Sequence, residues 1–251
     1  MHSVIPGRLH LRHEYRRKGI RRMSNLVANE RFSSSVGDYV KAIWDLGGAG
    51  AASTKEVAGR LSVSPASVSN MFVRLQEMGL VRHERYHGAS LTDSGRVEAL
   101  RLVRRHRLIE TFLLEHLGYH RQEVHDEAER LEHAVSDGFT ERLAEFLGHP
   151  QHDPHGDPIP AADGTLAAED SFPLAEAAAG TRVLISKVRD DDAPMLDYLE
   201  GRGLVPGRPL SVLEVRKLDG VVTIEDERGK THALGEPLAR SVFVRGAPDG
   251  A

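Results

Sequence analysis

The chain has 251 residues and a mass of 27.6 kDa, with 40% hydrophobic and 28% charged residues, enough for two or three packed globular modules. It contains no Cys, which excludes disulfide frameworks, cysteine zinc fingers and thiol catalysis and fits a reducing cytoplasm. The formal net charge is −4, so any nucleic-acid binding must rest on a local basic patch. No apolar run is long enough to span a membrane, and the basic N-terminus lacks the apolar core of a signal peptide.

Residues 1–31 carry Arg8, Arg12, Arg16, Arg17, Lys18, Arg21 and Arg22 with little apolar periodicity. Three readings stay open: a solvated flexible extension, a DNA-contacting arm, or a segment upstream of a true start at Met23. Residues 32–93 form a winged-helix DNA-binding pattern. From Phe32 to Leu46, Val36, Tyr39, Val40, Ile43 and Trp44 recur at helical spacing, and Gly47-Gly48 end the run. Thr54 can cap a short helix, Lys55 to Leu61. The turn Ser62-Val63-Ser64 then leads to Pro65, suited to a first helical position.

Val68, Met71, Phe72, Leu75 and Met78 form the buried stripe of that next helix, giving the helix-turn-helix unit that reads DNA. Its outer face carries Ser64, Ala66, Ser67, Ser69, Asn70 and Arg74. Small residues there permit close approach to a groove, and Asn and Arg can reach base edges or phosphates. Leu80–Tyr86 and Ala89–Thr92 flank a Gly-containing turn and predict a hairpin wing, with Arg82, Arg85 and His87 suited to the DNA backbone. A winged helix that binds protein instead is the plain alternative.

Residues 94–148 predict a helical metal-binding and dimerisation domain. A long helix from Ser94 to Leu117 carries Val97, Leu100, Leu102, Val103, Leu108, Ile109, Phe112 and Leu113. That is more apolar surface than one small domain needs, and part of it is expected to form a homodimer interface. In a helix from Arg121 to Ala134, His125, Glu129, Glu132 and His133 share one face. His106 and Glu110 repeat the four-residue step one helix earlier. Such oxygen and nitrogen donors suit Mn, Fe, Zn or Co. A solvated charged helix face is the plain reading of either cluster alone; two clusters on consecutive helices behind a DNA-reading pattern favour metal.

A further helix is expected from Ser136 to Leu147. Residues 149–180 are rich in Pro, Gly, Asp and Ala and read as a linker. Residues 181–246 read as a small barrel, with strands at Arg182–Val188, Leu210–Val215, Val221–Glu225 and Ser241–Val244, a short helix from Pro194 to Gly203, and turns at Gly220 and Gly229. The chain has no phosphate-cradling Gly loop, no G-x-S-x-G elbow and no H-E-x-x-H element. It is not expected to be an enzyme. A carboxylate-bridged dimetal enzyme, the rival of another class, needs two E-x-x-H elements that this pattern does not supply.

From Val36 through Leu147 the sequence resembles the diphtheria-toxin-repressor family of metal-dependent transcriptional regulators. The resemblance rests on D-Y-V-K-A-I-W-D-L, V-S-P-A-S-V-S-N-M-F-V-R-L, L-T-D-S-G-R, R-R-H-R-L-I-E-T-F-L and V-H-D-E-A-E-R-L-E-H-A-V-S, in order and at matching spacing. The C-terminal segment is similar to the SH3-like barrel that many members append. The implied fold is mostly α with small β parts. The implied function is a cytoplasmic, dimeric, DNA-binding repressor of metal-uptake genes, acting on a near-palindromic operator.

The family implies a regulatory metal site at Asp38, Glu129, Glu132 and His133. It implies a second at His106, Glu110 and His125, completed from the barrel, where Asp191 and Asp192 offer donors. The iron-responsive branch holds Met and Cys at the positions of Asp38 and Glu129. The two carboxylates here therefore imply Mn(2+), with Fe(2+) as the alternative metal. Short manganese regulators carry a Glu where this chain has Lys41, which argues against a paired-manganese arrangement and for two separated sites.

Overall fold

A computed structural model describes residues 33–48, 50–189 and 192–247. The basic extension 1–31 and Asp191 lie outside the described residues.

The N-terminal unit contains α1 (Ser34–Gly47), α2 (Thr54–Arg60), α3 (Pro65–Glu77), β1 (Val81–Glu84) and β2 (Gly88–Leu91). Ser53, one residue before the expected cap, starts α2. Its Oγ accepts from the Glu56 amide at 3.2 Å while Glu56 Oε2 accepts from the Ser53 amide at 2.9 Å, a reciprocal capping box. Ser64 caps α3 by accepting from the Ser67 amide at 3.1 Å, with Pro65 in the first turn. Val36, Val40, Ile43, Val57, Val68, Phe72, Leu75 and Leu80 make one core that fixes α3 against α1. β1 and β2 pair antiparallel from Val81↔Leu91 to Glu84↔Gly88 and form the wing.

Thr92 caps the long helix α4 (Asp93–Leu117) through the Gly95 amide at 3.1 Å and donates to Gly79 O at 2.7 Å, joining it to the turn that follows α3. At 25 residues α4 is about 37 Å long, and it carries contacts to both neighbouring units. Gly118 ends it at φ 72. α5 (Arg121–Glu132) and α6 (Asp137–Phe146) then pack back upon it. The expected dimer stripe is mostly consumed inside the chain, since Leu100, Val103, Leu108, Ile109 and Leu113 are buried. Val97, Leu117, Phe139 and Phe146 remain exposed.

The stretch expected to link is structured near its start. Arg107 Nη1 donates to Pro158 O at 2.6 Å and Arg104 Nη1 to Pro160 O at 2.9 Å, so α4 holds it along one edge. On the other side the Val188 amide donates to His155 O at 2.9 Å. Gly156 makes this seat possible: its φ is +94, and a Cβ there would meet Ser186 O at 2.0 Å.

The C-terminal unit contains β3 (Phe172–Pro173), a 3-10 turn at Leu174–Glu176, β4 (Arg182–Val188), α7 (Ala193–Glu200), β5 (Pro209–Arg216), β6 (Val221–Asp226), β7 (Thr231–Leu234), α8 (Glu236–Ser241) and β8 (Val242–Gly246). The strands form one antiparallel sheet in the order β3-β8-β4-β5-β6-β7. Its edges β3 and β7 do not pair with each other, so the SH3-like sheet is not closed. Val183, Ile185, Leu199, Leu204, Val212, Ile224 and Leu234 fill it. The short elements β3, β7 and α8 were not anticipated; two to six residues carry too little periodicity to be seen.

Candidate metal centre

The two halves of the predicted centre come from different units of the fold. α1 supplies Asp38, α4 supplies His106 and Glu110, and α5 supplies His125, Glu129 and Glu132. α5 ends sooner than the periodicity suggests, and His133 is its C-cap at φ −80, ψ −17. Gly37 brings α1 close: a Cβ there would meet Leu102 Cδ1 at 3.2 Å and His133 Cε1 at 3.4 Å.

The donors separate into two groups whose ligand atoms lie within 4.8 Å of one another: Asp38, Glu132 and His133, and His106, His125 and Glu129. In the first, His133 Nε2 lies 2.7 Å from Asp38 Oδ1 and 3.5 Å from Glu132 Oε1. The hydrogen bond to Asp38 raises the His133 pKa above its ordinary value despite partial burial. Asp38, Glu129 and His133 line an open cavity of about 510 Å³.

Glu132 is completely buried and divides its two oxygens. Oε2 accepts from His106 Nδ1 at 2.6 Å and from Lys41 Nζ at 2.9 Å. Oε1 is buried without a hydrogen-bond partner and faces the Asp38–His133 side. Glu110 has the same character: Oε1 lies 2.9 Å from His106 Nε2 and 3.3 Å from His125 Nδ1, and Oε2 has no hydrogen-bond partner. A buried carboxylate oxygen without a partner is costly in a finished apolar core. A dication removes that cost, so the donor set fits a Mn- or Fe-type ion.

Burial disfavours a charged His106, yet Glu110 and the bonds to both carboxylates outweigh it and push its pKa up to about 9. The same ion pairing carries Glu132 below its ordinary value against the effect of burial. Lys41 was expected only as a departure from the family pattern; here its ammonium is buried among the ligands. Nζ lies 2.7 Å from Glu129 Oε1, 2.9 Å from Glu132 Oε2 and 3.0 Å from His106 Nδ1. Glu129, expected beside Asp38, therefore points its Oε1 at Lys41, and it groups by distance with His106 and His125.

Asp192 does not join the second cluster. It is the N-cap of α7, and its Oδ1 accepts from the Met195 amide at 3.0 Å. The segment at 149–160 instead brings buried Asp153 and His155 against Glu110, and both act on it electrostatically. Burial, then Glu110 and Asp157, raise the Asp153 pKa well above its ordinary value. Arg107 Nε lies 3.3 Å from Asp153 Oδ2. The sequence signal for these two was the D-x-H spacing inside a Pro-rich stretch, which composition alone reads as linker.

On the side expected to face DNA, Ser64, Ala66, Ser67, Ser69, Asn70 and Arg74 are all exposed along one side of α3. Ser64 and Ser67 hydroxyls share a 2.9 Å hydrogen bond, and Ser69 Oγ donates to Pro65 O at 3.0 Å. Arg82 and Arg85 are exposed on the wing, with Arg85 stacked 5.1 Å over the Tyr86 ring.

A winged helix joined to buried carboxylate–imidazole clusters defines a metal-responsive DNA-binding regulator. Family models agree: residues 31–89 match the N-terminal DNA-binding domain of iron dependent repressors, residues 92–161 their metal binding and dimerisation domain, and residues 172–246 the FeoA domain. The iron-dependent repressor IdeR of Mycobacterium tuberculosis (strain H37Rv) is 30% identical over 219 residues, covering 82% of this chain and 94% of the relative. A diphtheria toxin repressor from Corynebacterium efficiens is 36% identical over 218 residues, covering 82% and 93%. Among solved structures, a manganese-dependent transcriptional repressor in complex with manganese superposes with a TM-score of 0.80 at 42% identity, covering 84% of this chain and all of that one. The manganese regulator SloR gives 0.70 at 36% identity, covering 84% and 98%.

The chain belongs to the diphtheria toxin repressor family of metal-dependent transcriptional repressors, which are DNA-binding proteins and not enzymes. No helix among the described residues is long and apolar enough to cross a membrane.

Proposed function

We propose that this chain is a manganese-responsive, dimeric repressor of metal-uptake genes that works in the cytoplasm on a near-palindromic operator. The observation that carries this is the donor set joining α1 to the end of α5: Asp38, Glu132 and His133, all oxygen and nitrogen, with a buried Glu132 oxygen lacking a partner. Hard, flexible donors of this kind suit Mn(2+). The solved manganese-dependent repressor at 42% identity and the manganese regulator SloR at 36% support the same metal.

Asp38, Glu132 and His133 would hold the regulatory ion, with Glu129 at the rim of the same cavity. His106, Glu110 and His125 would hold a second, with Asp153 and His155 as its nearest further donors. The bound ion supplies positive charge that lets the Asp38 and Glu132 carboxylates converge. Asp38 sits on α1, and α1 shares its core with the reading helix α3, so fixing Asp38 against α5 fixes the reading head against the dimer. If about 1% of the protein is DNA-competent without metal, reaching 99% takes about 5.5 kcal/mol of differential binding. Fe(2+) is the second reading, favoured by the iron-dependent repressors among the relatives.

Footprinting on the gene's own upstream region tests the proposal, with Mn(2+), Fe(2+) under anaerobic conditions, or chelator. Protection of a near-palindrome at lower protein concentration with Mn(2+) than with either alternative is expected. Equal protection in chelator would remove metal from the account.

A further inference from the structure

The ammonium of Lys41 stands where a cation is needed. Its side chain is 9% exposed, and Nζ lies within 3.0 Å of His106 Nδ1, Glu129 Oε1 and Glu132 Oε2. These three donors come from two helices, α4 and α5, while Lys41 reaches them from α1. Two of them, His106 and Glu129, also group with His125 as atoms able to share one ion. Glu132 meanwhile turns its other oxygen, Oε1, toward Asp38 and His133. The pocket at Glu132 Oε2, beside the regulatory donors that gather near Oε1, is therefore a cation pocket already filled by the chain.

We propose that Lys41 is a resident cation: its ammonium fills a third cation pocket between His106, Glu129 and Glu132, so that the regulatory ion binds singly beside it. An ammonium is a compact point charge on a flexible stem, so it meets three donors without imposing a coordination geometry. Unlike an ion, it cannot dissociate. It fastens α1 to α4 and α5 in the metal-free protein and leaves the Asp38 end as the part that responds to metal. It also fixes ion stoichiometry, because an ion entering this pocket would have to displace a tethered charge.

The inference rests on reading these carboxylates and imidazoles as cation ligands, and the test separates the two. Mn(2+) bound per protomer is measured by equilibrium dialysis and metal analysis for wild type, Lys41→Ala and Lys41→Met. Continuous-wave EPR of the loaded proteins and melting of the metal-free ones accompany it. Lys41→Ala opens the pocket, so it should bind an additional Mn(2+) per protomer. Its EPR spectrum should be broadened by spin coupling between ions about 4 Å apart. Lys41→Met keeps the stem without the charge, so it should gain no ion.

Both metal-free variants should melt about 5 °C or more below wild type, and Mn(2+) should restore Lys41→Ala more fully than Lys41→Met. Unchanged stoichiometry in Lys41→Ala overturns the inference. Failure of Lys41→Ala to be recovered folded even in Mn(2+) does so too, since an ion then cannot replace the ammonium. If wild type itself binds no Mn(2+), the reading of these groups as ligands is what fails.

Discussion

His133 Nε2 lies 2.7 Å from Asp38 Oδ1, and this contact ties the C-terminal end of α5 to α1, the first helix of the winged-helix unit. Its hydrogen bond holds the His133 pKa above the ordinary value of 6.5. A raised folded-state pKa means that the pairing stabilises the metal-free protein below about pH 6.5 and is lost as pH rises through the folded value. A metal ligand must be a neutral imidazole. Mn(2+) affinity should therefore rise by about tenfold or more between about pH 6 and pH 8, with proton release on binding. Calorimetry in two buffers of different ionisation enthalpy reads the protons directly; binding without proton release would contradict this role for His133.

Glu132 should matter to the fold as well as to the metal. It is fully buried between Lys41 and His106, and removing it leaves both positive groups with less compensation. Glu132→Ala should destabilise the metal-free protein by about 3 kcal/mol, read by urea unfolding. A loss under about 1 kcal/mol would show that Glu110 and Glu129 compensate fully.

The exposed side of α3 and the wing should make separable contributions to DNA binding. Arg85→Ala should flatten the salt dependence of operator affinity by about one phosphate without changing sequence preference. Asn70→Ala should cost about 1–3 kcal/mol on the operator and little on random DNA. Half-site spacing of about 34 Å or a multiple of it is expected in the footprint. Anisotropy titrations at several salt concentrations give all of these slopes, and equal losses on both DNAs for Asn70→Ala would deny it a base contact.

Glu129 tests the choice of metal. Its Oε1 is engaged with Lys41 at 2.7 Å while its side chain remains 39% exposed to the cavity. Glu129→Cys supplies a soft thiolate and should improve activation by Fe(2+) or Co(2+) relative to Mn(2+). Operator affinity measured anaerobically against each metal decides it; an unchanged order of metals would place Glu129 outside the regulatory shell.

What the sequence made legible is what local chemistry decides. The apolar spacing from Val68 to Leu75, Pro65 after Ser64, and Gly118 after Leu117 each specify an element through its own neighbours. The shared face of His125, Glu129 and Glu132 follows from helical periodicity in the same way. Tertiary placement was not legible. Nothing local directs the Glu129 carboxylate to Lys41, 88 residues away. The family resemblance offers Asp192 as a ligand from the barrel, yet the start of α7 uses it as an N-cap. Asp153 and His155 were hidden in a Pro-rich stretch because their burial depends on Arg107 and on the close approach of Gly156 to β4.

The central claim is that an ion held by Asp38, Glu132 and His133 couples α5 to the DNA-reading unit. Operator affinity as Mn(2+) is raised, measured by fluorescence anisotropy for wild type and Asp38→Ala, tests it most directly. Asp38 is partly exposed at the cavity, so the variant should remain a folded dimer. Wild type should gain affinity steeply with Mn(2+), and Asp38→Ala should need about 100-fold more Mn(2+) or fail to respond. A wild-type response retained in full by Asp38→Ala would contradict the coupling.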